Sequence, residues 1–328
     1  MTSEIPTSRG LLDRAFELSR QRHGSTLSVH VPGMFCWDGV RGRYPAISVT
    51  GPICELQCDH CRGRLLKTLP VETTPEGLIA RCRRLDAEGF PGVLLTGGCD
   101  RSGRLPWPRF ADAIEAIRRS TSLFLSFHAG VIDRGTAQRM KDAGAHQALL
   151  DVAGSDATIR RVFHLEGGRA VMAESLDALA AAGLDTTPHI ILGLDGADIR
   201  EEYGALDLID AHFRPSALAV VIRMPLADTP LMRLSAPQPD DVGLFLATAR
   251  MHFPDAVLSL GCARPRHIGA YERVAVDAGV NRIALASEET LAYARERGLT
   301  IRREWVCCSV PDRYLEHGKR QDGPQGIT

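Results

Sequence analysis

The sequence predicts an α/β fold of the (β/α)8 TIM-barrel type, on three observations. Eight apolar stretches of strand length recur, at 45–51, 92–98, 122–129, 146–153, 186–194, 217–224, 257–262 and 282–287. The segments between them open on helix-capping residues and close on glycine, the alternation that builds a parallel sheet with crossover helices. The chain has 328 residues, room for a barrel of roughly 250 residues with an extension at each end. The expected division is an N-terminal lead-in over 1–44, a barrel over 45–299 and a C-terminal tail over 300–328 lying across the barrel mouth. An open sheet of about six strands is the alternative.

In chain order, Leu11, Leu12, Ala15, Phe16 and Leu18 share one side of a helix over 11–23 that Gly24 ends. Residues 27–31 read as a short strand turned by Pro32-Gly33, and Cys36, between Phe35 and Trp37, reads as a packed or idle thiol. Helix starts are expected at Thr74-Pro75-Glu76, Pro106 to Pro108, Asp156, Pro237 to Asp240 and Ser287-Glu288-Glu289. Side-chain oxygens there can accept from the free N–H groups of a first turn, and proline has no such N–H to leave unpaired. Gly89, Gly144, Gly183, Gly279 and Gly298 fall where helices should stop. Cys82 shares a helix face with Leu78 and Leu85 and is expected in the core.

Hydrophobic residues make up 44% of the chain and charged residues 24%, with a formal net charge of −1. A sizeable core is therefore expected and extended disorder is not. No basic stripe interleaved with aromatics occurs, which argues against a nucleic-acid partner. The opening residues lack an apolar signal segment, and no run of about 18 apolar residues follows. A soluble, cytoplasmic protein with no membrane partner is expected. The cysteines number nine, odd and clustered, which fits a reducing compartment better than a disulfide framework.

The chemistry is expected at Cys54-Glu55-Leu56-Gln57-Cys58-Asp59-His60-Cys61, a C-x3-C-x2-C run directly after the first barrel strand. A loop this short can bring three thiolates to one soft metal centre. Structural zinc closes with four protein ligands, and no suitably spaced fourth Cys or His follows nearby. Three cysteines suit a [4Fe–4S] cluster with one iron left open. That iron can take the amino and carboxylate groups of S-adenosylmethionine, whose reductive cleavage releases a 5′-deoxyadenosyl radical. A zinc or redox cluster is the alternative.

A parallel barrel carries its active site at the carboxyl ends of its strands, and polar residues and cysteines do gather there. The strand ends lead to Cys54, Cys58 and Cys61, then Gly97-Gly98-Cys99-Asp100, His128, Asp151, Gly193-Leu194-Asp195, Arg223 and Gly261-Cys262-Ala263-Arg264. Gly97-Gly98 would let the backbone approach a ligand closely. Cys99, Cys262, Cys307 and Cys308 could together hold a second, auxiliary iron–sulfur cluster, if the adjacent tail pair folds across the mouth. The alternative is a pair of buried thiols under a C-terminal lid.

The set Cys54-x3-Cys58-x2-Cys61-Arg62-Gly63-Arg64-Leu65-Leu66, Thr96-Gly97-Gly98-Cys99-Asp100, Asp228-Thr229-Pro230-Leu231, Gly261-Cys262-Ala263-Arg264-Pro265-Arg266 and Cys307-Cys308-Ser309 resembles the biotin-synthase-related radical S-adenosylmethionine (radical SAM) proteins. The likeness runs over about 31–309. Within that group it is most similar to the subunits of the two-component, archaeal-type lipoyl synthase. The resemblance implies that Gly97 and Gly98 hold the methionine end of the cofactor, that Asp151 bonds the ribose hydroxyls, and that Ile190, Gly193 and Leu194 lie on the adenine-contacting strand. His60 stands where an aromatic often packs on the adenine. Asp228 replaces the usual glycine of its motif, and His267 the glycine after Pro265-Arg266.

The resemblance further implies a radical SAM sulfurtransferase acting on a protein-bound octanoyl group, with an auxiliary cluster as sulfur source. Expected partners are a second, related radical SAM subunit, an octanoylated lipoyl-carrier protein or peptide, and a reductant such as ferredoxin or flavodoxin. The alternatives are another biotin-synthase-like enzyme, of cofactor maturation or rearrangement, whose auxiliary cluster is structural, and a non-catalytic electron-transfer protein.

Overall fold

The structure, a computed structural model, describes residues 8–315. Helix α1 (Ser8–His23) leads into strand β1 (Thr26–His30), followed by a hairpin of β2 (Cys36–Trp37) and β3 (Val40–Arg41). Asp38 and Gly39 turn that hairpin with φ of 49° and 77°, the left-handed pair of a type I′ turn. Then come β4 (Ala46–Ser48), a 3₁₀ turn (Arg64–Thr68), α2 (Pro75–Ala87), β5 (Gly92–Thr96), α3 (Trp107–Ser120), β6 (Phe124–His128) and α4 (Arg134–Asp142). The alternation continues through β7 (Gln147–Asp151), α5 (Asp156–Phe163), α6 (Arg169–Ala181), β8 (Asp185–Leu192), α7 (Tyr203–His212), β9 (Ala217–Ile222) and α8 (Pro239–His252). It closes with β10 (Val257–Leu260), α9 (Ala270–Asp277), β11 (Arg282–Ala284), α10 (Glu288–Glu296), β12 (Thr300–Glu304) and a short α11 (Asp312–Leu315).

All eight expected strands are present, as β4 to β11 without β1, and they pair in parallel in sequence order from β4 to β11. The sheet is larger than those eight. β1 pairs in parallel between β11 and β12, making ten strands in the order β12-β1-β11-β10-β9-β8-β7-β6-β5-β4. No ladder joins β12 to β4; Arg43 N donating to Trp305 O at 2.6 Å bridges that gap.

Capping explains the helix boundaries. Thr74, Asp133, Ser155 and Ser287 each accept from the backbone N–H three residues on. Ser155, one residue before Asp156, is thus the cap of α5. Gly89, Gly144, Gly183, Gly279 and Gly298 all have positive φ, as helix C-termini require.

The two faces of the sheet differ in chemistry. Residues such as Ile47, Val93, Leu125, Leu150, Ile190, Leu218, Leu258 and Ile283 pack outward with the helices in the main apolar core, and Cys82 is fully buried there. On the other face of each strand, by the alternation of side chains, lie His30, Ser126, His128, Gln147, His189, Ser259 and Arg282. Beyond β12 the tail runs along that inner face. His30 Nδ1 meets Val306 O (3.3 Å), Ser259 Oγ and Arg282 Nη1 donate to Cys308 O (3.3 and 2.7 Å), and Gln147 Nε2 donates to Ser309 O (2.8 Å). Arg282 also donates to Val310 O at 2.8 Å, and Tyr314 packs on Phe124 and His146 at the amino-terminal ends of β6 and β7. Strands as far apart as β1 and β7 reach one segment, so the sheet is curled around it. A buried backbone segment must have its carbonyls satisfied, which accounts for much of the polarity of the lumen.

Candidate functional site

The cysteine loop leaves β4 at the carboxyl ends of the strands. Gln57, Arg62 and Gly63 take φ of 51°, 47° and 65°, and these left-handed steps turn the loop tightly. Glu55 N and Leu56 N donate to Cys99 O (2.7 and 3.3 Å), Arg62 N donates to Cys58 O (2.9 Å), and Asp59 N donates to Val162 O (2.8 Å). The loop is therefore seated on the end of β5 and on α5. Cys58 is buried, with Cys54 and Cys61 half-buried beside it. The Cys58 and Cys61 thiols share a hydrogen bond, which drives their pKa values apart, Cys61 down to about 4 and Cys58 up. Among the described residues no three Cys, His, Asp or Glu side chains crowd a single point as ligands of one ion would. A cube takes one thiolate at each of three separate irons, so its ligands need not meet at one point.

Glycine sets the contact beneath the loop. A Cβ on Gly98 would lie 1.9 Å from Ile53 O and 2.6 Å from Cys54 Cα, so only glycine lets β5 meet the loop this closely. At Gly97 the nearest atoms belong to the Thr50 side chain, at 2.9 and 3.0 Å, and Thr50 Oγ1 accepts from Gly98 N at 2.6 Å.

Asp151 ends β7 with its side chain exposed, and it acts electrostatically on His60, Cys99, His128 and His189. The His60 ring packs on Phe163 at 5.3 Å. Burial disfavours its cation, but contact with Cys61 and the carboxylates of Asp151 and Asp59 outweigh this and raise its pKa. His128 and His189 face one another edge-on at 6.2 Å, and burial lowers both, His128 to about 4. Thr96 Oγ1 holds His128 Nδ1 at 2.9 Å.

Ile190 is only 1% exposed and belongs to the outer core, so its side chain points away from the lumen. Its neighbour Ile191 shares the inner face with His189, a parity that the apolar run 186–194 could not reveal. Gly193 turns the chain with φ of 85°. Its N–H and that of Leu194 both donate to Glu202 Oε1 (2.9 and 3.1 Å), and its carbonyl accepts from Arg223 Nε at 2.7 Å.

The four cysteines expected in an auxiliary centre fall into two groups. Cys99 sits with the trio, electrostatically coupled to Cys54 and Cys61 while its carbonyl anchors the loop. Cys262, Cys307 and Cys308 are mutually coupled elsewhere, and Cys307 and Cys308 share a hydrogen bond. Burial pushes the Cys262 thiol up to about 11, and the bond with Cys308 lowers Cys307 to about 6. The reason is topological: Cys99 follows β5 beside β4, whereas Cys262 follows β10 on the far side of the lumen. Cys36 is exposed, an idle thiol rather than a packed one.

Several residues shape the mouth in ways not read from sequence, and one of them was not singled out at all. Glu202 is that residue, with Oε2 buried and unpartnered and its pKa raised by burial to about 7. Arg264, named from sequence only within its strand-end motif, is buried against Glu272 and donates to the carbonyls of Gly261 and Ala284. Arg223, expected only as a polar strand end, holds the carbonyls of Leu231, Leu234 and Ser235 as well as Gly193. Asp228 keeps a left-handed backbone, φ 55°, where a glycine is usual, and its carboxylate pairs with Arg64. Buried arginines that gather carbonyls leave no sequence pattern, because a backbone carbonyl can come from a residue of any type.

The sequence matches the Radical SAM superfamily over residues 48–209. It is 27% identical to the biotin synthase of Gloeobacter violaceus over 188 residues, which are 54% of this chain and 56% of that protein. It is 26% identical to the biotin synthase of a Synechococcus strain over 245 residues, 72% of this chain and 77% of that one. Among solved structures, methylornithine synthase (PylB) superposes with a TM-score of 0.60 at 15% identity, covering 97% of this chain and 93% of that one.

Proposed function

The chain belongs to the radical SAM superfamily and is related to biotin synthase; from that premise we propose that it is one subunit of a two-component lipoyl synthase, performing C–H activation and sulfur insertion on protein-bound octanoyl groups. The observation that carries the catalytic part is the seating of three thiols on one tight loop against Gly98, with the Asp151 carboxylate nearby. Cys54, Cys58 and Cys61 would hold the [4Fe–4S] cluster, leaving one iron for S-adenosylmethionine. Bound there, the two cofactors supply a 5′-deoxyadenosyl radical.

The chain's own residues orient that cofactor. The backbone of Gly97 and Gly98 would hold its methionine end, and Asp151 would accept from its ribose hydroxyls. Gly193 and Leu194, fixed by Glu202 and Arg223, would present backbone to its adenine. His60, packed on Phe163, would supply a ring to pack on that adenine. For sulfur insertion, Cys262, Cys307 and Cys308 are the ligands available to an auxiliary cluster. Support comes from the tail, which carries two of these thiols on the lumen side and is pinned there by Arg282, Gln147 and Ser259. A second radical SAM subunit and a ferredoxin or flavodoxin complete the proposed system.

Anaerobic reconstitution followed by incubation with an octanoylated peptide, with and without a partner subunit, tests the proposal. It expects about eight irons per chain, 5′-deoxyadenosine, and a product heavier by inserted sulfur. About four irons and an unchanged peptide would reject sulfur insertion and leave only radical generation. One observation favours a second reading, a rearrangement or maturation enzyme with a small polar substrate. Among the described residues His128 makes its hydrogen bond through Nδ1 only, which leaves Nε2 available to a polar ligand in the lumen.

A further inference from the structure

The imidazole of His60 is placed by α5. Ser155 caps that helix and Phe163 ends it, with His164 turning left-handed at φ 58°. Asp59 N donates to Val162 O at 2.8 Å, which staples the cysteine loop to the last turn of the helix. The ring of the next residue therefore falls on Phe163, 5.3 Å away and tilted by 54°. Asp59 is held in turn by Arg62 and His164, each at 3.2 Å. Any aromatic ring could pack on an adenine from this place, so packing alone gives the imidazole nitrogens no use. Nδ1 is nevertheless buried with no hydrogen-bond partner among the described residues, a state that a buried polar atom seldom keeps. The ring also lies in hydrogen-bonding contact with the Cys61 thiol.

Cys61 has its own set of donors. It accepts from the Cys58 S–H and from Gly63 N–H, while Cys58 belongs to the main apolar core. Ligation of iron takes the proton from Cys58, and with it that hydrogen bond. Gly63 N–H and the His60 ring then remain as donors to the Cys61 sulfur. Hydrogen bonds strengthen as the acceptor gains negative charge, and bonds to the sulfurs set the potential of an iron–sulfur cluster. A reduced cube carries one electron more than an oxidised one, so it gains more from each donor.

We infer that His60 donates a ring N–H to the Cys61 sulfur once the trio holds its cube, and that this bond raises the potential at which the cube is reduced. The inference rests on the proposed [4Fe–4S] centre at Cys54, Cys58 and Cys61 and adds the residue that sets its redox poise. The imidazole then serves twice, with its face toward adenine and its N–H toward the cluster. A phenylalanine could do only the first.

The test is the midpoint potential of the cube, followed by electron paramagnetic resonance in an anaerobic redox titration of the reconstituted protein. S-adenosylmethionine is added only at the end point, where it marks the signal of the trio's cube, so lost adenine packing cannot enter the result. His60→Phe keeps a ring against Phe163 and removes the N–H. At a fixed applied potential its ratio of reduced to oxidised cube should fall about tenfold, a shift of about 59 mV to more negative potential. His60→Asn and His60→Gln place an amide N–H near the Nδ1 and Nε2 positions of the lost ring, and one of them should recover most of the shift. All three variants should load as much iron as wild type. A loaded His60→Phe protein that titrates at the wild-type potential would overturn the inference and leave the cube in place. A shift that neither amide recovers would overturn it too, since altered packing alone would then explain the change. Loss of iron from all three variants would do the same by making His60 a residue of loop folding. Wild type that loads no cube would remove the reading of the trio and this inference together.

Discussion

Replacing Gly98 by alanine should separate the seat of the cysteine loop from the stability of the fold. The added Cβ would fall 1.9 Å from Ile53 O, 2.6 Å from Cys54 Cα and 2.7 Å from Cys54 Cβ. To restore ordinary contact the loop must retreat by about 1.5 Å, an overpacking that costs roughly 1–3 kcal/mol. The atoms in the way are backbone and the base of a ligand side chain, so no rotamer change relieves the clash. The retreat also strains the bonds from Glu55 N and Leu56 N to Cys99 O. For a chain of this size the melting temperature should fall by only several degrees, at about 2–4 °C per kcal/mol. The displaced Cys54 thiol, by contrast, should no longer meet the geometry of a cube. The assay is iron content after anaerobic reconstitution, read with 5′-deoxyadenosine formation and a thermal melt. The expected result is a folded protein without the cluster of the trio and without 5′-deoxyadenosine. Gly97→Ala is the comparison, because its clash is with the Thr50 side chain, which can turn aside; that variant should keep its iron. A Gly98→Ala protein that loads iron and cleaves S-adenosylmethionine like wild type would refute the reasoning.

Further outcomes follow from the same geometry. Cys58→Ala should abolish 5′-deoxyadenosine formation, whereas Cys262→Ala should spare it and stop sulfur transfer; equal loss of both in the Cys262 variant would deny the two centres separate roles. Cys99→Ala should retain the first cluster and 5′-deoxyadenosine formation, since the contacts it makes to the loop use its carbonyl, and loss of iron would make Cys99 a ligand and close the open corner. Glu202, raised from 4.5 to about 7 by burial, binds its proton more tightly folded than unfolded. Its contribution, up to about 3 kcal/mol, is complete below pH 4.5 and lost as pH rises through about 7. Glu202→Gln keeps an oxygen for Gly193 N and Leu194 N, so urea unfolding at about pH 5 and about pH 8 should show wild type losing stability relative to the variant; parallel behaviour would reject a raised carboxyl.

Most of the fold was legible because buried parallel strands are continuous apolar runs and their helices carry caps. β12 left little trace, since Thr300–Glu304 is a half-exposed edge strand with a single apolar residue, Ile301. β1 was readable as a strand, but its place between β11 and β12 depends on pairing across more than 250 residues. Asp38-Gly39 was a local turn signal, passed over beside Cys36. At the site, the trio and Gly98 were legible because their chemistry is local in sequence. The grouping of Cys99 with the trio, the inward parity of Ile191 and the path of the tail were not. Each is fixed by side chains brought together from distant strands, such as Gln147, Ser259 and Arg282 on the tail carbonyls. Asp228 shows the converse, a departure from the family pattern that keeps the left-handed backbone of a glycine and adds an ion pair with Arg64.

The most direct test of the central claim is the electron paramagnetic resonance spectrum of the anaerobic, dithionite-reduced protein, recorded before and after S-adenosylmethionine is added. A cube held by Cys54, Cys58 and Cys61 with one free iron gives a reduced-cluster signal whose shape changes when the sulfonium compound binds. A silent spectrum from protein carrying one zinc at the trio, or a cluster signal that the added compound leaves unmoved, would contradict the account.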